Sequence, residues 1–136
     1  MPASQPGKTL ADMEFPIQIS ILIVTYNSSS TIRVCLESVI KELQLLDGEV
    51  IVVDNQSTDD TVSILDELST QNPILKVELN RTNRGFAVGN NQALEMAGGQ
   101  HILILNPDTI LQADILKNLL VELEKDAKMG VVAPQL

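Results

Sequence analysis

The chain has 136 residues, which is enough for one domain with one sizeable core. Its 18 acidic residues outnumber 9 basic ones, and the formal charge of -9 excludes sequence-independent nucleic-acid binding, which requires a basic surface. The single cysteine, Cys35, excludes an internal disulfide, and no apolar run has the length of a membrane span.

The first part of the chain contains a leader, one buried strand and one helix. Residues 1–16 hold three prolines and no sustained periodicity, so we expect a flexible N-terminal leader. From Ile19 to Val24 the sequence is almost continuously apolar, which is typical of a strand buried on both faces. A helix is predicted from about Ser30, and Cys35 falls on its apolar stripe, so we interpret Cys35 as a core residue and not as a nucleophile.

Strands and helices continue to alternate along the rest of the chain. Strands are predicted at Glu49 to Val53, Leu75 to Leu79 and His101 to Leu105, each followed by a helix. The last of these helices runs from about Asp114 to Asp126, and Val131 to Ala133 begins a fifth strand.

This alternation, without hairpin signals, predicts an α/β fold. We expect a mostly parallel, doubly wound, Rossmann-like sheet of about five strands with helices on both faces. In such sheets ligands bind beyond the carboxyl ends of the strands. Polar clusters follow the four strands at those ends: Thr25-Tyr26-Asn27, Asp54-Asn55, Asn83-Arg84 and Asn106-Pro107-Asp108. The sequence therefore predicts a binding site along one rim of the sheet.

Four motifs at these strand ends resemble family 2 glycosyltransferases, and most of all their rhamnosyltransferase-type members, which build bacterial surface polysaccharides. The motifs are ISILIVTYN (19–27), VVDNQSTD (52–59), NRGFAVGNN (83–91) and LNPDT (105–109). The resemblance runs from Ile17 to Leu136, with the motifs in the family's order. It implies a GT-A-type fold, a nucleoside diphosphate sugar donor, a divalent cation and inversion at the anomeric carbon.

The resemblance also assigns residues to the nucleotide. Thr25-Tyr26-Asn27 would lie along the base and ribose. Part of the contact would come from backbone N–H groups, which strand pairing leaves without a partner where the chain leaves the strand. Asp54, with Asn55 beside it, would accept a hydrogen bond from the imide N–H of uracil or thymine. Because Asn55, Ser57 and Asp59 can cap the following turn, we expect the Asp54 carboxylate to be left free for ligand. The alternative is that these clusters are ordinary polar turns.

Arg84 and Gly85 open the third helix, where the resemblance places the donor diphosphate. Arg84 would contact the diphosphate, aided by N–H groups at the helix start, and Gly85 would allow close approach. Arg81 is a competing candidate for this contact, and a solvated arginine beside a helix cap is the alternative.

Asn106-Pro107-Asp108 stands where the family carries a D-x-D-like motif, in which a carboxylate holds Mg²⁺ or Mn²⁺ against the diphosphate. The motif departs from the two-acid form because Asn106 is neutral, which leaves Asp108 as the one charged metal ligand. We predict weak metal binding unless the diphosphate supplies the remaining oxygens. The alternative is a Pro-Asp turn that ends a strand.

The general base of an inverting transfer lies in the second half of the resembling enzymes, so we expect it beyond Leu136. Residues 17–136 are therefore interpreted as the truncated, nucleotide-sugar-binding part of a glycosyltransferase, with little or no transfer activity of its own. The complete enzyme would transfer the sugar to a glycan or lipid-linked acceptor in surface polysaccharide synthesis. A non-catalytic nucleotide-sugar-binding module and an unrelated doubly wound α/β domain are the alternatives.

The remaining expectations concern location and association. We predict a cytoplasmic protein, because the N-terminus lacks a signal-peptide pattern, with peripheral attachment at the inner face of the membrane as an option for a longer chain. An exposed sheet edge favours self-association. The candidate partners are therefore the nucleotide sugar, the acceptor and a second copy of the chain in a homo-oligomer.

Overall fold

A computed structural model describes residues 17–125, which form four strands and four helices. The strands are β1 (Ile17–Thr25), β2 (Gly48–Asp54), β3 (Leu75–Leu79) and β4 (Gly99–Leu105). The helices are α1 (Ile32–Leu43), α2 (Thr61–Gln71), α3 (Phe86–Met96) and α4 (Ile115–Lys125). The predicted leader at 1–16 and the predicted fifth strand at Val131 to Ala133 lie outside the described residues.

The four described strands form one sheet in the order β3-β2-β1-β4, and every pairing is parallel. β1 therefore has a neighbour on each side, and from Ile19 onwards all its residues are buried. This explains the unbroken apolar run from Ile19 to Val24, because a strand covered on both faces offers no solvent face for alternating polar residues. The predicted parallel α/β sheet is confirmed.

Helices cover both faces of the sheet, as predicted. The larger core lies between the sheet and α1, α2 and α4, and its fully buried members include Ile21, Leu36, Val52, Leu65 and Leu116. The smaller core lies under α3 and is formed by Leu22, Ile51, Val53 and Ala93. Cys35 is fully buried in the larger core, in agreement with its interpretation as a core residue.

Two helices begin slightly later than the sequence pattern predicts. α1 begins at Ile32 and not at about Ser30, because the Ser28 carbonyl accepts hydrogen bonds from the N–H groups of Thr31 and Ile32 and forms a turn before the helix. α4 begins at Ile115, because Asp114 has a φ of 65° and so cannot belong to the helix.

A buried carboxylate joins the amino ends of the strands. Glu49 of β2 accepts hydrogen bonds from Ser20 Oγ at 2.6 Å, from Gly98 N at 2.7 Å and from Lys76 Nζ at 2.6 Å. These partners belong to β1, to the segment that leads into β4, and to β3. Although burial raises the pKa of the Glu49 carboxyl, the hydrogen bonds from Lys76, Ser20 and Gly98 outweigh that effect and lower it below its ordinary value.

β4 presents an apolar face that the described residues leave open. Ile102 is 40% exposed and Ile104 is 55% exposed, and both lie on the side of the sheet that carries α3. Between residues 17 and 125, β4 pairs only with β1. Within the same range, no helix combines the length and the apolar character needed to cross a membrane.

Candidate functional site

The loops that follow β1 and β2 are joined by a buried side-chain hydrogen bond. Thr25 and Asp54 are the last residues of their strands and lie opposite one another in the register. Thr25 Oγ1 donates to Asp54 Oδ1 at 2.7 Å, and the Asn55 N–H donates to the Thr25 carbonyl at 2.9 Å. The first two predicted clusters therefore meet at the carboxyl edge of the sheet.

The Asp54 carboxylate is occupied by protein groups, so the expectation that neighbouring residues leave it free is wrong. Besides Thr25, the Ser57 hydroxyl donates to Oδ1 at 2.6 Å and the Ser57 N–H donates to Oδ2 at 2.9 Å. A short side chain at the start of a turn reaches the N–H group of the turn's last residue easily, and here Asp54 itself caps the turn. Since a carboxylate offers about four acceptor positions, one position on Oδ2 remains.

Asn27 joins the same two loops on their exposed side. Its N–H donates to Ser57 Oγ at 2.8 Å, and its Oδ1 accepts from the Thr58 N–H at 2.7 Å. Asn27 has a φ of 48°, a left-handed conformation that asparagine tolerates better than most residues. The neighbouring Tyr26 ring has no such role and is 53% exposed at the rim.

Asp59 fixes the start of α2 and ties it to the loop after β1. Its Oδ1 accepts from the Thr61 N–H at 2.9 Å, and its Oδ2 accepts from the Ser29 N–H at 3.1 Å. The hydrogen bonds from Thr61, followed by those from Ser29, lower the pKa of the Asp59 carboxyl well below its ordinary value. Asp59 thus caps the start of α2, whereas Asp54 caps the turn before it.

The third cluster, after β3, is held to the second by side-chain amides. Asn55 is buried, its Nδ2 donates to the Gly85 carbonyl at 3.0 Å, and its Oδ1 accepts from the Arg84 N–H at 3.3 Å. Asn80, the first residue after β3, donates from Nδ2 to Asn55 Oδ1 at 2.9 Å and to Gln92 Oε1 of α3 at 2.7 Å. The side-chain amide of Asn55 therefore holds protein backbone.

Gly85 sits at the start of α3 with a φ of 85°, a left-handed conformation that favours glycine. A Cβ atom at Gly85 would meet no atom within 4 Å, so the backbone conformation and not crowding requires glycine here. The side chain of Arg84 is exposed, and so is that of the competing Arg81.

Asn106 and Asp108 follow β4 at the same edge, beside the end of β1, but their contacts run towards α1. The Asn106 carbonyl lies 3.8 Å from Cys35 Sγ, and Asp108 is exposed. Burial, with Asp108 adding to the effect, raises the pKa of the Cys35 thiol to about 11. Within residues 17–125, no hydrogen bond links 106–108 to the other three clusters, and no three His, Cys, Asp or Glu side chains form a metal-binding group.

Sequence reasoning missed the part that Asn80 and Gln92 play in this site. Gln92 directly precedes Ala93 and follows Gly89 by three positions, both of which face the sheet, and its side chain turns towards β3. A polar residue so close to the buried face of a helix was the available signal, although it does not identify the partner.

The comparisons with known proteins agree with this geometry. The sequence profile of glycosyl transferase family 2 matches residues 20–135. The chain is 30% identical over 114 residues to the poly-beta-1,6-N-acetyl-D-glucosamine synthase of Staphylococcus epidermidis, an alignment that covers 84% of this chain and 27% of the synthase. Such relatives are several times longer than the matched region.

Solved structures share the fold. S. aureus TarS 1–349 superposes with a TM-score of 0.73 and 28% identity over 88% of this chain and 39% of TarS 1–349. The mannosyltransferase PcManGT from Pyrobaculum calidifontis, in complex with GDP-Man and Mn²⁺, gives a TM-score of 0.72 and 25% identity over 83% of this chain and 36% of its own.

These likenesses exclude the alternative of an unrelated doubly wound domain, because they cover most of the chain in both sequence and structure. The parallel sheet is the Rossmann-like sheet of the GT-A-type fold. The chain belongs to glycosyl transferase family 2.

Proposed function

We propose that this chain forms the donor-binding side of its glycosyltransferase and holds a nucleoside diphosphate sugar at the rim of β1, β2 and β3. The observation that carries the proposal is the hydrogen-bonded joining of the three loops after these strands, with the side chains of Tyr26 and Arg84 left exposed. A site whose backbone is already fixed binds with little loss of conformational entropy.

The roles follow from which groups stay available. Tyr26 and the backbone around Asn27 lie along the base and ribose. Asp54 is only 1% exposed, so its remaining acceptor position on Oδ2 accepts from the imide N–H of a pyrimidine base that inserts between the loops after β1 and β2. Arg84 binds the diphosphate, aided by the N–H groups at the start of α3. A uridine donor is favoured over a thymidine donor, since TarS was also solved with UDP and with UDP-GlcNAc.

A divalent cation fits this site in one arrangement only. Asp108 is exposed and offers a single carboxylate, and Mg²⁺ or Mn²⁺ can bind through one carboxylate when substrate phosphates and water supply the other oxygens. Asn106 contributes at most a neutral oxygen. When bound, the cation would offset charge on the departing diphosphate. The Mn²⁺ complex of PcManGT supports this assignment.

In the complete enzyme, the sugar passes with inversion to a glycan or lipid-linked acceptor, and the base that deprotonates the acceptor hydroxyl lies beyond Leu136. The transferred group is a hexose or a hexose derivative. The rhamnosyltransferase likeness stays a prediction, and titrating UDP-GlcNAc against dTDP-rhamnose distinguishes the two sugars.

Calorimetric titration of the 136-residue chain with UDP, dTDP and GDP, with and without Mn²⁺, tests the donor site. We expect UDP or dTDP to bind, more tightly with Mn²⁺, and Asp108→Ala to lose only the Mn²⁺-dependent part. Asp66→Ala, which removes an exposed carboxylate from α2, is the matched control and keeps it. A folded chain that binds no nucleotide would overturn the proposal, and a preference for GDP would overturn the role of Asp54.

Donor hydrolysis and sugar transfer by the 136-residue chain are expected to be undetectable in an assay for released UDP. Steady turnover would show that the base lies within these residues.

A further inference from the structure

Asn80 and Gln92 form a reciprocal amide pair between the end of β3 and α3. Asn80 Nδ2 donates to Gln92 Oε1 at 2.7 Å, and Gln92 Nε2 donates back to Asn80 Oδ1 at 2.8 Å. The pairing fixes the orientation of each amide relative to the other, because reversing one of them alone would bring two N–H groups and two oxygens face to face.

The pair is connected to the loop between β3 and α3 through Asn55. Asn80 Nδ2 also donates to Asn55 Oδ1, which in turn accepts from the Arg84 N–H, while Asn55 Nδ2 donates to the Gly85 carbonyl. Gln92 thus reaches the backbone of Arg84 and Gly85 through two intervening amides.

The loop needs such support because it has little other. Every residue from 81 to 88 is exposed, so no apolar packing fixes the position of Arg84. Asn55 is only 2% exposed and is anchored by its own N–H bond to the Thr25 carbonyl. The side-chain amides therefore hold a solvent-exposed loop against the sheet and against α3.

We propose that Asn80 and Gln92 are positioning residues that act through Asn55 on the backbone of Arg84 and Gly85, and so set where the Arg84 guanidinium meets the donor diphosphate. This inference rests on the donor site proposed above only for the identity of the diphosphate. The geometry of the loop can be tested without any ligand.

The first measurement is the heteronuclear NOE of the backbone amides at 81–85 in the ¹⁵N-labelled chain. We expect these values to fall in Gln92→Met, which keeps the side-chain length but makes no amide hydrogen bond, while those of the helices stay unchanged. Gln71→Met makes the same change at an exposed position at the end of α2 and is the control. Gln92→Glu, which keeps one acceptor for Asn80, should show a smaller fall and replaces Gln92→Met if that variant does not fold.

The second measurement compares the affinities for UDP and for uridine. Gln92→Met should weaken UDP binding by about threefold to tenfold and leave uridine binding within about twofold, because only UDP carries the diphosphate. In an Arg84→Ala background the same substitution should have a smaller effect on UDP binding, because only the N–H groups at the start of α3 remain to contact the diphosphate.

The outcomes separate the two proposals. Unchanged NOE values at 81–85 in Gln92→Met would overturn the positioning role whether or not any nucleotide binds. Equal weakening of UDP binding and uridine binding by Gln92→Met would overturn the proposed action through the Arg84 guanidinium. An equally large effect of Gln92→Met in the Arg84→Ala background would overturn it too. Failure of the unmodified chain to bind UDP would overturn the donor site instead, and the NOE comparison would still decide whether the amides hold the loop.

Discussion

Thr25 Oγ1 and Asp54 Oδ1 lie 2.7 Å apart at the last paired position of β1 and β2, and both residues are almost completely buried. Their charge-assisted hydrogen bond lies at the carboxyl edge of the sheet, next to the apolar core. The two loops of the proposed nucleotide site begin directly after these residues. The stability of the fold and the shape of the site therefore depend on the same contact.

Replacing Thr25 with valine should lower the free energy of unfolding by about 1–3 kcal/mol, because Asp54 stays buried and loses one of its donors. Urea denaturation followed by circular dichroism measures this change. The matched control is Thr70→Val near the end of α2, where an exposed hydroxyl bonds to the Asp66 carbonyl, and there we expect less than about 0.5 kcal/mol. Equal losses in the two variants would contradict the importance of the buried pair.

Glu49 should make the stability depend on pH in the acid range. Its pKa lies below the ordinary value of 4.5 in the folded chain, so its contribution is present above that value and is lost as the pH falls through the lowered pKa. The difference in unfolding free energy between the unmodified chain and Glu49→Gln should therefore shrink from about pH 6 to about pH 3.

Denaturation at a series of pH values checks this expectation. Glu78→Gln, which changes an exposed carboxylate two residues after Lys76 on β3, is the control and should not alter the pH profile comparably. A difference for Glu49→Gln that grows towards low pH would contradict the direction of the shift.

The adjacent glycines before β4 should respond differently to alanine. A Cβ atom at Gly99 would lie 2.6 Å from Ser20 N and 2.8 Å from the Ile19 carbonyl carbon, which are backbone atoms of β1 that cannot move aside. Gly99→Ala should therefore lower the unfolding free energy by about 2–3 kcal/mol. At Gly98 the nearest atom would be 3.5 Å away, so Gly98→Ala should change it by less than about 0.5 kcal/mol.

Thermal denaturation of the two alanine variants decides between these expectations. A Gly99 variant as stable as the Gly98 variant would contradict the close approach of β1 to β4, and a Gly98 variant as unstable as the Gly99 variant would contradict the open space at Gly98.

Cys35 should be unreactive in the folded chain. Its thiol is fully buried and burial raises its pKa to about 11, so almost no thiolate is present at about pH 8. A thiol-reactive disulfide reagent should modify the chain slowly in its folded state and at once in urea, and since Cys35 is the only cysteine the signal has one source. Rapid modification without urea would contradict the burial of this side chain.

The fold was predictable because its strands carry unmistakable signals. The apolar run from Ile19 to Val24 predicts a strand buried on both faces, and the helical spacing around Cys35 and Leu36 predicts which side of α1 faces the sheet. The position of β4 beside β1 was not predictable, since the apolar pattern of Gly99–Leu105 fits either edge of the sheet.

For the candidate site, the convergence of the polar clusters was predictable, but the hydrogen bonds that their side chains make were not. Topology alone brings the ends of parallel strands to one edge, and so Thr25, Asp54 and Arg84 were expected near one another. Which side chains face inward depends on turn geometry that several residues could satisfy. Asp54 accepts from Ser57 where a free carboxylate was expected, and Asn55 binds backbone.

From the strand order we also expect a particular order of strand pairing during folding. β1 pairs with β2 through the single crossover that contains α1. The other edge of β1 is covered only when residue 17 pairs with residue 99 of β4. Pairings between distant residues form late, because the chain entropy lost in closing the intervening loop is not repaid until they form. We therefore expect β1, the most apolar of the four described strands, to keep one side unpaired until β4 docks, and intermolecular pairing to compete best with folding during that interval.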